Sequence, residues 1–263
     1  MSYHTQVPYY PWKMSHHHHH KNTGNIDREE IFYPVRMKEA NKKGRFAPFF
    51  GLGAAWFYYL VSGYGDRPRS ANHFNPFDPL FARRAAACTV SLVCWAAVIV
   101  LALVPYALSF GPARLALHYL LPVFFFASWL VITTFLHHQD ENVPWYVDEK
   151  WDFVRGNLSS VDRHYGWAHD LVHNIGTHQI HHLFIKIPHY RYFSTWQSEL
   201  SLDFTLIFVR RLEEATAVFR EKYPHLVRMS TEPILPAFSK MFKLFNDQRF
   251  IENDVMVHVY NSK

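Results

Sequence analysis

Two long runs without a charged residue occupy the middle of the chain and constrain its fold more than any other feature. The first, AAACTVSLVCWAAVIVLALVPYALSFGPA, lies between Arg84 and Arg114, and the second, LALHYLLPVFFFASWLVITTFL, covers residues 115–136. Each is longer than the roughly 20 residues that a helix needs to cross about 30 Å of hydrocarbon. The short segment between them only lets the chain reverse direction. We therefore predict a hairpin of two transmembrane helices, at about residues 85–110 and 114–136.

Both ends of such a hairpin lie on one side of the bilayer. The basic pair Arg83 and Arg84 precedes the first helix, and positive flanks favour the cytosolic side. A third uncharged stretch, residues 46–65, contains four glycines and one proline and is rich in Trp, Tyr and Phe, which favour the headgroup region. We interpret it as an interfacial or re-entrant segment, with a full span as the alternative.

The overall charge argues against nucleic acid as a partner. The chain carries 27 Lys and Arg against 22 Asp and Glu, a net charge of +5 without a basic cluster interleaved with aromatics. Its first residues also lack the apolar core of a signal peptide. The 19 histidines and the 17% of aromatic residues are unusual. Together with the hairpin, they indicate a membrane protein with a histidine-dependent site.

Two histidine motifs share one spacing. His178, His181 and His182 form H-x-x-H-H, and the run of five histidines that ends at His20 contains the same spacing at His16, His19 and His20. On a helix these positions share one face, so that three imidazoles point to one centre. Neutral imidazole binds iron, copper, zinc and nickel alike, and the absence of thiolates and carboxylates from both motifs favours a redox metal over structural zinc.

Further histidines are weaker candidates for metal ligands. His137 and His138 lie where the second predicted span ends, and one of the two is expected to be a ligand. His173 precedes the second motif and is a candidate ligand or a supporting residue. The remaining histidines lack partner spacing and are treated as non-ligands: His4, His73, His118, His164, His169, His189, His225 and His258.

Several stretches, in order along most of the chain, resemble the membrane fatty acid desaturase family, in its methyl-end (omega-6 or omega-3, delta-12 or delta-15) branch. They are VPYYPWKMSHHHHHKNTGNIDREEIFYPV, TTFLHH with PWY, WDFVRG, SSVDRHYG, HNIGTHQIHHLFIKIPHY and LEEATAVFREKYPHLVR. In the last of these, Leu212, Ala215, Val218 and Phe219 have the spacing of the apolar face of a helix that ends before Pro224.

The resemblance implies an O₂-dependent centre of two non-haem iron ions that removes two hydrogens from a fatty acyl chain. It also implies electrons from cytochrome b5 and its reductase, or from ferredoxin, and a location in the endoplasmic reticulum with the histidine motifs facing the cytosol. The residues that match the family's metal ligands are His16, His19, His20, His138, His178, His181 and His182.

Two departures from the family pattern bear on activity. The family's first histidine box has no counterpart here, so the chain is expected to be either an N-terminally incomplete desaturase or a catalytically incomplete membrane protein. Residues 191–211 separate IPHY from the EAT helix and are interpreted as an insertion, such as a retained intron. A related hydroxylase or conjugase stays open as a third reading.

The sequence thus predicts a single all-α desaturase domain over residues 1–263. In this interpretation an integral membrane hairpin carries a cytosolic helical cap that holds the di-iron site.

Overall fold

The computed structural model describes residues 7–34, 52–63, 71–141, 143–169, 172, 174–187, 211–246 and 256–258. Within these ranges the protein is mostly helical. The α-helices are α1 Tyr9–Asn22, α2 Gly53–Ser62, α3 Ala85–Val98, α4 Val104–Phe110, α5 Pro112–Leu115, α6 Leu121–His138, α7 Phe153–Asn157, α8 His178–Leu183, α9 Arg211–Lys222 and α10 Ile234–Asn246.

Two continuous helices are long and apolar enough to cross a membrane, and their bounds lie within a few residues of those predicted. The first, Ala82–Phe110, joins α3 to α4 through a π-helical segment, and an 18-residue window within it has a mean hydropathy of 2.6. The second, Pro112–His138, joins α5 to α6 through another π-helical segment, and an 18-residue window within it has a mean hydropathy of 2.0. Gly111, at φ +85°, separates them, because a residue in the left-handed region ends a helix and glycine adopts it without strain. Large apolar side chains such as Leu108, 82% exposed, face outward along both helices, as hydrocarbon solvation would require.

The base of the hairpin contacts the other helices. The backbone N–H of Tyr10 in α1 donates to Ser91 Oγ in α3 at 3.0 Å. The backbone N–H of Gly53 in α2 donates to Ser128 Oγ in α6 at 2.9 Å, and a Cβ at Gly53 would collide with Phe124. This close approach needs a glycine at the start of α2.

The described part of the 46–65 segment is the ten-residue helix α2. At 1.5 Å per residue such a helix is about 15 Å long, which is half of the hydrocarbon thickness. Trp56, Tyr59 and Leu60 face the core, whereas Tyr58 is 70% exposed. The interfacial or re-entrant placement stays a prediction.

The structure contains strands that the all-α prediction did not include. β1 Trp145–Tyr146 pairs antiparallel with β4 Val257–His258, and β2 Asp162–Arg163 pairs parallel with β3 Met229–Ser230. These two-residue strands are too short for a periodic pattern to reveal them, because alternation needs at least four residues.

The helix α9 corrects one detail of the sequence prediction. It ends at Lys222, before Pro224 as expected, but its buried face is set by Leu212 and Thr216, each 1% exposed, while Val218 is 50% exposed. A threonine can take this buried place because its hydroxyl donates to the carbonyl of Leu212 at 2.7 Å. Of the predicted insertion, residues 191–210 lie outside the described ranges.

Candidate metal centre

The helix α1 carries the five-histidine run, and the histidines on its two faces differ in exposure. His19 and His20 are 3% and 4% exposed, whereas His17 is exposed. His16 is half-buried, with its ring stacked on Trp12 at a centroid distance of 5.0 Å. Because four residues make slightly more than one turn, His16 and His20 lie one above the other, with their Nε2 atoms 3.0 Å apart.

The helix α8 contributes the second motif from the opposite side. His178 and His182 are buried and His181 is half-buried. The ring of His182 stacks on that of His20 with centroids 4.2 Å apart, and His181 lies 4.7 Å from the same ring. The two helices therefore face each other across the cluster, an arrangement that the spacing within each motif does not determine.

The potential ligand atoms form two groups, in each of which they lie within 4.8 Å of one another. The outer triad consists of His16, His20 and His181. The inner triad consists of His19, His138 and His182, all of them buried, and it draws on α1, α8 and the end of α6. Thus the histidine at the end of the second long helix, His138, joins the two motifs.

The predicted ligand His178 lies beside the inner triad. Its Nε2 atom is 2.9 Å from Nε2 of His138 and 3.0 Å from Nε2 of His182. Three ring nitrogens that converge in this way can form hydrogen bonds only if some of them carry protons. A cation at the point of convergence would instead use all three lone pairs.

Burial keeps these imidazoles in the neutral form that binds metal. Burial, with help from His19 and His17, lowers the pKa of His16 to about 3. Burial and the neighbouring histidines also lower the pKa of His178, His182 and His20 far below the usual value. Because a transition metal competes with protons for the same lone pairs, depressed pKa values favour metal binding at neutral pH.

Protein oxygen atoms hold the outward nitrogens of the inner histidines. His19 Nδ1 donates to Glu29 Oε2 at 3.1 Å. His182 Nδ1 lies 3.2 Å from Asn157 Oδ1 and 3.1 Å from Thr23 Oγ1. Such contacts fix the tautomer and direct the other ring nitrogen inward. The sequence analysis gave no role to Glu29, Asn157 or Thr23, although each lies in or beside a stretch that carries the family resemblance.

The WDFVRG stretch fastens the end of α1 to α7. The indole N–H of Trp151 donates to the carbonyl of Thr23 at 2.9 Å, and a Cβ at Gly156 would collide with both groups. Asn157, the next residue, is thereby placed against His182. Gly156 is required here because only hydrogen fits between these chain segments.

The SSVDRHYG stretch fixes α8 and the end of α6. Asp162 Oδ1 accepts from the backbone N–H of Gln179 at 2.9 Å, and its other oxygen accepts from Arg220 at 2.7 Å. Arg163 donates to the carbonyl of Leu136 at 3.0 Å and to Asp140 at 3.0 Å. Burial raises the pKa of Asp162, and the hydrogen bonds oppose that shift. This hydrogen-bond network positions His178, whose backbone N–H also donates to Asp162, and His138 at the end of α6.

Other predicted candidates have different surroundings. The two ring nitrogens of His137 face the carbonyl of Val161 and the hydroxyl of Tyr165. These contacts favour a supporting role for His137 over a role as metal ligand. His173 lies outside the described residues. Neither triad includes a histidine from the default non-ligand set.

An apolar cavity adjoins the cluster between α1, α2 and α6. The histidines on its wall are His16, His19, His138 and His178, and its other lining includes Phe32, Ala55, Trp56, Leu130, Val131 and Phe135. The cavity has a volume of about 90 Å³ and lies beside these histidines. An apolar wall with few convergent polar groups is typical of a binding site for an apolar ligand.

The residues fit a pair of transition-metal ions. Each triad brings three imidazole nitrogens within 4.8 Å of one another, and the Nδ1 atoms of His20 and His138 are buried without a hydrogen-bond partner in the described part of the chain. Buried ring nitrogens without partners are costly unless something else compensates them. Imidazole by itself does not distinguish iron from copper, nickel or zinc.

Comparison with known proteins places this site in a family. The family profile described as "Fatty acid desaturase" matches residues 2–200. An sn-1 acyl-lipid omega-3 desaturase (ferredoxin) of Synechocystis is 35% identical over 239 residues, 90% of this chain and 60% of the relative. An acyl-lipid omega-3 desaturase (cytochrome b5) of the Arabidopsis thaliana endoplasmic reticulum is 35% identical over 193 residues, 70% of this chain and 49% of the relative.

An endoplasmic reticulum omega-3 fatty acid desaturase of Nicotiana tabacum is 38% identical over 193 residues, 70% of this chain and 50% of the relative. The chain therefore spans about half the length of the curated relatives that it matches. The match to the family profile covers more than half of the chain and includes both histidine motifs. The chain belongs to the fatty acid desaturase family.

Proposed function

We propose that the chain contributes the metal centre of a fatty acid desaturase that introduces a cis double bond toward the methyl end of an unsaturated acyl chain. The observation that carries the proposal is the convergence of two triads of histidines beside an apolar cavity. The reaction removes two hydrogens from adjacent methylenes and reduces O₂ to two molecules of water, with two further electrons and two protons. The relatives' names favour desaturation over hydroxylase or conjugase chemistry, and the omega-3 position over delta-12.

The proposed ligands are His16, His20 and His181 for one ion, and His19, His138 and His182 for the other, with His178 beside the second. Two iron ions held there would supply the oxidising power for an unactivated C–H bond. The chain's own residues keep the imidazoles neutral, direct their lone pairs inward and exclude water from the inner triad. The cavity wall orients the acyl chain along α6.

We place electron entry at the outer triad. His16 and His181 are half-buried, whereas every member of the inner triad is buried. A donor at the surface therefore comes closest to the centre through the rings of the outer triad. Cytochrome b5 and ferredoxin are the proposed donors, because relatives are named for each; reconstitution with either purified donor would identify the one that supports turnover.

The apolar hairpin supports insertion in a membrane, and the names of two relatives support the endoplasmic reticulum. The proposed orientation places the histidines in the cytosol. Protease treatment of sealed microsomes tests it: an epitope at the C-terminus should be digested from outside, and protection of that epitope would reverse the orientation.

Expression of this chain in yeast, with profiling of fatty acid methyl esters, tests the activity. We expect a new polyunsaturated ester that disappears in the His19→Ala variant. If the purified chain binds two iron ions yet forms no double bond, the centre is catalytically incomplete as it stands. If it binds no transition metal, the proposed function is wrong.

A further inference from the structure

A buried carboxylate, Glu29, contacts the inner triad and has no part in the ligand set proposed above. Glu29 is 0% exposed, and its Oε2 atom accepts from Nδ1 of His19 at 3.1 Å. Its other oxygen accepts from the backbone N–H groups of Glu30 and Ile31 at 3.0 and 3.2 Å. Both carboxylate oxygens are thus held as hydrogen-bond acceptors.

The local chain explains why this side chain points at His19. After α1 the chain turns at Asn25, whose Oδ1 accepts from the backbone N–H groups of Asp27 and Arg28, each at 2.8 Å. The backbone N–H of Glu29 then donates to the carbonyl of Asn25 at 3.0 Å. This turn returns the chain along α1 and brings Glu29 to the level of His19.

The consequence concerns which nitrogen of His19 is free. Because the carboxylate oxygen of Glu29 accepts from Nδ1 of His19, the ring carries a proton on that nitrogen. The lone pair is then on Nε2, on the side away from Glu29. A carboxylate behind a histidine also raises the basicity of that ligand and offsets part of the charge of a bound cation.

In the described part of the chain, His20, His138 and His182 lack such a carboxylate partner. The Nδ1 atoms of His138 and His20 have no hydrogen-bond partner among the residues that the structure describes, and His182 is held by neutral groups. A negative charge therefore reaches the inner triad through His19.

We infer that Glu29 is a positioning residue of the inner triad, which sets the tautomer and the donor strength of His19 and so makes the inner metal the tighter of the two. This inference rests on the metal site proposed above. It extends that proposal to a residue outside the histidine motifs.

Cobalt(II) titration of the purified full chain in detergent tests the inference, followed by visible absorption and by metal analysis. The variants His182→Ala and His181→Ala assign the two binding steps to the inner and the outer triad. In Glu29→Gln, which keeps an acceptor but removes the charge, we expect the inner step to weaken by about 10- to 100-fold and its absorption bands to shift. The outer step should stay unchanged, and Glu29→Asp should recover part of the loss.

The matched control is Glu30→Gln. Glu30 is the next residue and is 2% exposed, and burial raises its pKa to about 8. At pH 7 it is mostly protonated, so that glutamine replaces it with little change in charge, and both steps should match the wild type.

Three results would contradict the inference. Equal weakening of both steps in Glu29→Gln would show a general structural role, and wild-type affinity at the inner step would show no role at all. Absence of cobalt binding by the wild-type chain would overturn the metal site itself, and the role of Glu29 with it.

Discussion

Both triads consist of histidines and both draw on α1 and α8, with α6 adding His138 to the inner triad, yet they differ in their surroundings. The inner triad is fully buried and is supported by Glu29, Asn157 and Thr23. The outer triad has two half-buried members, and His16 is packed against the ring of Trp12. Equal spacing in the two motifs therefore does not produce equal sites. Burial and the groups behind the imidazoles distinguish an enclosed position from an accessible one.

The difference between the two triads predicts that the loss of an inner ligand has the largest effect on activity. We expect His19→Ala to lower desaturation by more than about 100-fold, because it removes a ligand and leaves Glu29 buried without its partner. Ester profiling in yeast measures the effect, and His18→Ala on the same helix should stay within about twofold of the wild type. Substantial activity in His19→Ala would place the inner centre elsewhere.

The rate of metal release should also distinguish the two triads. A chelator added to the iron-loaded chain should remove the outer ion at least about tenfold faster than the inner one, since only the outer triad has partly exposed rings. Stopped-flow absorption of the chelate gives the two phases, and His181→Ala should remove the fast one. Release of both ions in a single kinetic phase would contradict the predicted difference between the triads.

The acidic pair beside the inner triad predicts a pH effect. Burial and the neighbouring Glu29 raise the pKa of Glu30 from 4.5 to about 8. Between pH 4.5 and pH 8, folding therefore takes up a proton at Glu30. The contribution of the protonated carboxyl group to the stability of the folded state is fully present below pH 4.5 and is lost as the pH rises through 8. The free energy of unfolding should fall by at most about 1.4 kcal/mol per pH unit in this window.

Denaturant unfolding of the metal-free chain across this pH range measures the slope, and Glu30→Gln should reduce it. The same slope in both proteins would mean that another group takes up the proton. Glu30 lies on the side of α2, where the hydroxyl of Tyr59 donates to it at 3.4 Å. This pH effect therefore belongs to the surroundings of the inner triad and not to those of the outer triad.

The smallest expected effect concerns the cavity that both triads border. We expect Ala55→Leu to lower activity by about threefold, because the longer side chain occupies space on the cavity wall while both triads stay intact. Metal content should equal that of the wild type, and Ala54→Leu, at an exposed position of the same helix, serves as the control. Loss of metal in Ala55→Leu would show that the cavity and the ligands are coupled.

Much of the architecture could be predicted from local pattern. Uncharged runs of sufficient length indicated both long helices, and the short segment between them indicated the reversal of direction. The H-x-x-H-H spacing placed three histidines on one face of a helix in each motif. The prediction for α9 was right in extent and right for the buried Leu212, but wrong for Val218, which faces outward. Thr216 is buried instead, because its hydroxyl donates to the carbonyl of Leu212.

What the sequence by itself determined is therefore the hairpin, the two histidine faces and the family, since each depends on residues close together in the chain. Only the tertiary structure decided how six of the seven predicted ligands divide into two triads, with His178 beside the inner one, and that Glu29, Asn157 and Asp162 support them. Those contacts join segments far apart in sequence, such as Thr23 with His182. Spacing along one helix fixes directions around its axis, but which helix lies opposite depends on how the whole chain packs.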